Sequence, residues 1–223
     1  MNLTVIGSGS DGNCYALDDG KQILIIECGL PLMEAKRGIR YQVSRIKGCV
    51  VSHRHGDHAG YTSQYRKIGL PIFEPYLHTE YGDFQRIQYG SFDITAFPLV
   101  HDVPCYGFLI RHPDMGTVLY ASDTAYIRYR FKHLDHIIVE ANYSIELISD
   151  DLLDTPKRNH VLYGHMELGT AQRFLQLNGK DAKNIILAHL SADNSNRDQF
   201  LIRTQPLVEA PVWIARKGLR ISL

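Results

Sequence analysis

Short apolar runs recur along this chain, and most of them give out in a polar residue. Leu3–Ile6 leads into Gly7-Ser8-Gly9-Ser10-Asp11-Gly12-Asn13. Cys14–Leu17 returns, Asp18-Asp19-Gly20 turns, and Lys21–Glu27 follows. Gly48–Val51, Pro71–Phe73, Phe92–Phe97, Cys105–Ile110, Thr117–Ala121, His136–Glu140, Ile185–Ala188 and Val212–Ala215 continue the series. Runs this short, bounded by Gly, Pro, Asp and Asn, read as strands. Helical spacing is predicted over Leu32–Arg37 and over Ala59–Ile68, where Tyr61, Tyr65 and Ile68 share a side before Gly69-Leu70-Pro71. It is predicted again over Glu146–Leu153 up to the breaker Pro156, over Leu168–Leu177 with Asn178-Gly179 as its cap, and from Phe200 onward. The opening is a hairpin sheet rather than a βαβ unit.

The residues at the ends of the runs carry the chemistry. Ser52-His53-Arg54-His55-Gly56-Asp57-His58-Ala59-Gly60 follows a buried strand and sets three imidazoles and a carboxylate within six positions. In an extended or looped backbone His53 and His55 reach one ion, while Asp57 and His58 diverge toward a second. Such ligands suit zinc and admit manganese or iron. His101, Asp123 and His189 likewise stand where apolar strands stop, and in a layered α/β fold such ends converge. We therefore assign His53, His55 and His101 to one ion and Asp57, His58 and His189 to the other, with Asp123 between them. The bland alternatives are a solvated polar loop for residues 53–58 and satisfied structural histidines for His101 and His189. Two ions about 3.5–4 Å apart activate a shared water and hold the oxygens of a phosphodiester or carbonyl.

Composition narrows the rest. Lys+Arg and Asp+Glu are both 24, so any nucleic acid must be met by a local patch or by the metals. Cys14, Cys28, Cys49 and Cys105 are far apart among apolar neighbours and read as buried thiols, not as disulfides or zinc ligands. No apolar run approaches membrane-spanning length and no basic-then-apolar leader opens the chain, so a soluble cytoplasmic protein is expected, with no membrane partner and no organic cofactor. The Gly7–Asn13 loop offers a backbone nest for phosphate, or else a flexible hairpin turn.

The SHRHGDH motif resembles the HxHxDH of metallo-β-lactamase-fold hydrolases, and its neighbours resemble the YycJ/WalJ-like exonuclease branch. Gly7–Asn13 looks like that branch's GSxGN start, Leu99-Val100-His101-Asp102 its SHD segment and Tyr120-Ala121-Ser122-Asp123-Thr124 its ATD segment. Glu140-Ala141-Asn142 looks like its ESN, Tyr163-Gly164-His165 the start of its GHLSN, and Ala188–Asn194 its AHLSxxNN. The correspondence runs from residue 1 to about 196. It implies an α/β chain folded as a four-layer αββα sandwich, with mixed sheets and a dinuclear site at the sheet edge. Residues 1–223 would form one domain with two β-α halves, approximately 1–115 and 116–223. Three departures stand out: Glu27 for an aspartate, Ser52 for a threonine, and Met166-Glu167 for Leu-Ser. Glu27 is expected to orient a ligand histidine, and Glu167 to bring negative charge toward the phosphate.

The implied activity is a phosphodiester hydrolase holding two divalent ions, Zn²⁺ or Mn²⁺, and acting as a DNA 5′-to-3′ exonuclease linked to repair. A metal-bound hydroxide would attack, with Asp57 positioning it. His165 is the candidate phosphate contact or leaving-group acid; its plain alternative is a cap or structural residue before the helix at Leu168. Ser8, Ser10, Asn13, Asn142 and Asn194 are candidate substrate contacts, with Tyr106 a weaker one, and single-stranded or 5′ DNA ends are the expected partner. The rival readings are a hydrolase of a small cyclic phosphodiester, lactone or thioester, a nucleic-acid binder without turnover, and a protein whose metals are only structural.

Overall fold

The computed structural model describes residues 1–77, 82–148 and 164–223. Two sheets form from the apolar runs. The first has the strand order β13-β1-β2-β3-β4-β5, built from β1 (Asn2–Gly7), β2 (Cys14–Asp18), β3 (Ile23–Ile26), β4 (Ile46–Val50), β5 (Ile72–Phe73) and β13 (Arg220–Ser222). The second has the order β12-β11-β10-β9-β8-β7-β6, from β6 (Gln85–Tyr89), β7 (Phe92–Pro98), β8 (Tyr106–His112), β9 (Gly116–Ala121), β10 (His136–Glu140), β11 (Asn184–Ala188) and β12 (Val212–Ile214). Both are mixed: β3, β4 and β5 run parallel, as do β9 through β12, while the remaining pairs are antiparallel.

Alternation along continuous apolar strands makes four layers. Leu24 and Ile26 of β3, with Ile138 of β10 and Ile186 of β11, fill the core between the sheets. Their neighbours Ile23 and Ile25 face outward with Leu32 and Ala35 of α1 (Leu32–Gly38) and Tyr65 of α3 (Thr62–Lys67). On the far side Ile137, Val139, Ile185 and Leu187 pack on Leu168, Ala171 and Phe174 of α4 (Leu168–Asn178) and Phe200 of α5 (Arg197–Thr204). Every residue of β10 and β11 is buried, as strands covered on both faces require. The result is the αββα sandwich with its mixed sheets. No helix among the described residues is long and apolar enough to cross a membrane.

The sequence reading differs from the structure in a few places. The helix expected over Ala59–Ile68 is two short pieces, α2 (Gly56–Ala59) and α3. The Asp57 carbonyl accepts from Asn13 N (2.7 Å) and Tyr61 N donates to Cys28 O (3.0 Å), so the ladder cannot run through Gly60-Tyr61. Strands β6 and β13 were not expected. The helix expected over Glu146–Leu153 is a 3₁₀ turn at Ile145–Leu147, and its remainder and Tyr163 lie outside the described residues.

Candidate metal centre

Five strand ends meet at one edge: β3 at Glu27, β4 just before His53, β9 just before Asp123, β10 at Glu140 and β11 just before His189. Hydrogen bonds from two loops fasten the histidine-rich turn to the first sheet. Asn13 N reaches Asp57 O, Cys28 N reaches His58 O (2.8 Å), and Gly29 N reaches Asn13 O (3.0 Å). Three of these strand-end residues, Glu27 (φ 67°), Asp123 (φ 54°) and His189 (φ 53°), sit in the left-handed region. Such backbones cost of order 1–3 kcal/mol each and persist where surroundings over-determine them, typically at functional sites.

The seven residues expected as ligands come together in two groups. His53, His55, His101 and Asp123 offer ligand atoms within 4.8 Å of one another, and so do Asp57, His58, Asp123 and His189. Asp123 belongs to both, and its two oxygens divide between them. Oδ1 lies 3.3 Å from His58 Nε2 and 3.3 Å from His189 Nδ1, while Oδ2 lies 3.6 Å from His53 Nε2 and 3.9 Å from His101 Nε2.

Four of the five rings are held from behind through Nδ1. That of His53 meets Ser52 Oγ at 2.9 Å, that of His58 meets Glu27 Oε1 at 3.3 Å, that of His101 meets Gly164 O at 2.9 Å, and that of His189 meets Glu140 Oε1 at 3.1 Å. An oxygen behind a ring nitrogen fixes the tautomer that presents the Nε2 lone pair, the arrangement seen behind metal-bound histidines. His53 Nε2 is buried without a hydrogen-bond partner. His101 Nε2 lies 3.3 Å from His55 Nδ1. An orphaned buried nitrogen and crowded lone pairs are what a divalent ion would satisfy, so this donor set fits two metal ions. Imidazole and carboxylate donors admit more than one metal identity.

Charge follows the same division. Burial and the neighbouring His58 keep His53 neutral, its pKa well below the usual imidazole value. Burial lowers His101 too, against the pull of Asp123. Burial also opposes the cation at His189, yet Asp123, Asp57 and Glu140 hold its pKa up at about 10. His58 is likewise raised by Asp123 and Glu27 in spite of complete burial. Asp57 is disfavoured by burial but held well below the usual carboxylate range by hydrogen bonds from His189 and His58.

The structure adds Glu140 to the site. Fully buried, it places Oε1 2.7 Å from His165 Nδ1 as well as beside His189, and Oε2 accepts from Thr124 N (2.9 Å). A carboxylate closing the apolar run Ile137–Val139 is the signal in the sequence. His165 stacks on His189, with centroids 5.3 Å apart, and Glu140 raises its pKa despite burial. His165 is not the helix cap. Glu167 caps α4 through Thr170 N (3.1 Å), and Met166 is buried in the core.

The candidate substrate contacts separate. Ser8 and Ser10 line a cleft of about 500 Å³ with Leu190, Ser191, Asn196 and Arg197, and Ser8 Oγ accepts from His189 N (2.9 Å). Asn13, by contrast, is fully buried, with Oδ1 accepting from Gly9 N (3.0 Å) and Nδ2 against His58 Nε2 (2.9 Å). Asn142 is buried with Nδ2 donating to His189 O (2.8 Å). Asn194 is buried and folded onto Ser191, and Tyr106 is buried as well. The three asparagines prop the loops, and Tyr106 belongs to β8 and the core between the sheets.

A sandwich of this kind with histidine and aspartate gathered at its strand ends is that of a metal-dependent hydrolase, and residues 7–69 match the description of the metallo-beta-lactamase superfamily. Similar proteins include the exodeoxyribonuclease WalJ of Streptococcus pneumoniae, 24% identical over 89% of this chain and 84% of the relative. The exodeoxyribonuclease YycJ of Bacillus anthracis is 22% identical over 94% of this chain and 89% of its own length. Among solved structures, the metallo-beta-lactamase fold protein YhfI from Bacillus subtilis superposes with a TM-score of 0.78 at 22% identity, covering 99% of both chains.

Glu27 supplies a graded test of the centre. Its carboxylate touches His58 and accepts from Ser52 N (3.2 Å), one residue removed from the proposed ions. Glu27→Gln is expected to lower activity about 10–100-fold, as losses behind a ligand do. Asp57→Asn is expected to lower it more. Steady-state rates on a common phosphodiester compare the two, and equal losses would mean that Glu27 itself meets an ion.

Proposed function

We propose that the chain is a dinuclear phosphodiester hydrolase acting on DNA from a 5′ end in the cytoplasm, with 1–223 working as one unit. The observation that carries the reading is Asp123, with one oxygen facing each histidine group. That arrangement suits two ions gripping neighbouring oxygens of one anionic centre. The names of the WalJ and YycJ relatives support DNA as the substrate.

His53, His55, His101 and Asp123 would hold one ion, and Asp57, His58, His189 and Asp123 the other. Bound there, the ions supply an acidified water and charge for the non-bridging phosphate oxygens. The protein does the rest. Asp57 would orient the attacking water. Glu140 fixes the His165 ring through Nδ1, leaving Nε2 to pass a proton to the departing alkoxide. Ser8 and Ser10 offer hydroxyls to the strand in the adjoining cleft.

That cleft is also of a size for a small ester, lactone or thioester, which is the second reading. Oligonucleotides labelled at opposite ends, incubated with Mn²⁺ or Zn²⁺, separate the two. Release of the 5′ label as mononucleotide or short product, with stepwise shortening of 3′-labelled strands, is expected. Closed circles should resist until nicked. Turnover of a lactone or thioester by metallated protein that leaves all DNA intact would favour the small-molecule reading.

A further inference from the structure

β9 and β10 are parallel, so the chain between them must travel back along the flank of the second sheet from the site edge to the opposite edge. From Tyr126 to Phe131 it does so without turn or bend. Its residues alternate. Ile127, Tyr129 and Phe131 face inward, and Tyr126, Arg128, Arg130 and Lys132 are exposed. The inward rings lock the segment down. Tyr129 meets Phe97 at 5.8 Å and Phe131 meets Phe97 at 5.1 Å and Phe174 at 6.4 Å, while Phe131 N donates to Asn178 Oδ1 at 2.8 Å.

The outward face is a row of cations headed by an aromatic ring. Among the described residues Arg128, Arg130 and Lys132 form no ion pair, unlike Arg37, Arg86 and Arg203, which are matched to carboxylates. Arg128 stands 5.9 Å over the Tyr126 ring, which is 45% exposed. Phe84, 54% exposed, lies edge-on to Tyr129 at 5.2 Å and adds a second accessible ring on this flank. In a chain with equal numbers of acidic and basic residues, three cations at alternate positions without carboxylate partners are a local concentration of charge.

We propose that this crossover is a docking track for a single-stranded polynucleotide, with phosphates on Arg128, Arg130 and Lys132 and a base on Tyr126. The inference rests on the phosphodiesterase reading and gives it a path for the strand. Alternate residues of an extended chain are about 6.6 Å apart, a spacing commensurate with successive phosphates of an extended strand. The track begins at the centre. Tyr126 is three residues past Asp123, hence within about 11 Å of it along the chain. Its start is tied to the site by Thr124, whose N–H donates to Glu140 and whose hydroxyl donates to Tyr126 O (2.8 Å). Because aromatic packing holds the backbone straight, the cations are presented with little ordering cost.

The test uses the full chain with Arg128→Gln, Arg130→Gln and Lys132→Gln combined, and separately Tyr126→Ala. Binding of a labelled oligothymidylate is read by fluorescence anisotropy over a salt series, beside turnover of a small chromogenic phosphodiester. The triple variant is expected to melt like the parent, bind about tenfold or more weakly at low salt, and show a salt slope shallower by about 2, at roughly 0.7 per phosphate released. Its small-diester turnover should be unchanged. Tyr126→Ala should weaken oligonucleotide binding at least about fivefold, and binding of inorganic polyphosphate not at all. An oligouridylate arm tells RNA from DNA. Parental affinity and salt slope in the triple variant would overturn the track, as would loss of small-diester turnover. Binding that depends on the track without cleavage of any strand would sink the nuclease reading and leave the track standing.

Discussion

Asp123→Asn is expected to yield a folded protein that no longer retains two ions and hydrolyses phosphodiesters at least about 1,000-fold more slowly. The side chain is buried and nearly isosteric with its replacement, so packing should survive. What changes is charge. Its two oxygens each face one histidine group, and Ser122 Oγ donates to Oδ1 at 2.9 Å. An amide removes the negative charge and turns one of the two acceptors into a donor aimed at imidazole nitrogens. Elemental analysis of protein purified without chelator should fall from about two equivalents of metal toward one or none. Near-parental metal content together with near-parental rate would remove Asp123 from the shared position.

Gly29→Ala, with no titratable group involved, is expected to be nearly as damaging. A methyl group on Gly29 would overlap the Asp57 carbonyl and crowd Asn13 N (2.8 Å). Both neighbours are backbone, so no flexible side chain can yield. The turn carrying Asp57 and His58 has to shift, and a displacement of about 1 Å in a catalytic constellation costs on the order of 100-fold. Overpacking of this kind also costs about 1–3 kcal/mol of stability. Thermal melting and activity measured on the same sample check both effects. A variant with unchanged melting and unchanged rate would show that the loop has slack which the close packing denies.

Much of this was legible because strand ends are legible. Short apolar runs closing in His53, Asp123 and His189 bring distant segments to one sheet edge whatever the details of the loops, and the structure gathers those residues with His55, Asp57, His58 and His101. Side-chain direction was harder to read. Asn13, Asn142 and Asn194 lie in polar loop motifs, and an asparagine that props a neighbouring loop has the same local sequence as one that faces a groove. Asn13 turns its amide inward to Gly9 and His58, Asn142 to His189, and Asn194 to Ser191. β6 is faint in the sequence because Gln85-Arg86-Ile87-Gln88-Tyr89 is an edge strand of the second sheet, whose half-buried side carries Gln85 beside Ile87 and Tyr89. The break in the helix after Ala59 depended on long-range hydrogen bonds to Asn13 and Cys28, which no local window contains.

The pairing of Asp57 with His189, whose Oδ2 and Nε2 lie 3.3 Å apart across 132 positions of chain, has a mechanical side. Asp57 belongs to the edge of the first sheet and His189 to that of the second. Ions held between them would act as a clip across the mouth of the sandwich, closing a loop of 132 positions. A clip that closes so long a loop takes most from the entropy of the unfolded chain. Metal supply would thus govern how long the protein survives as well as how fast it works, and chelation would lower its resistance to heat and proteolysis even where no substrate is present.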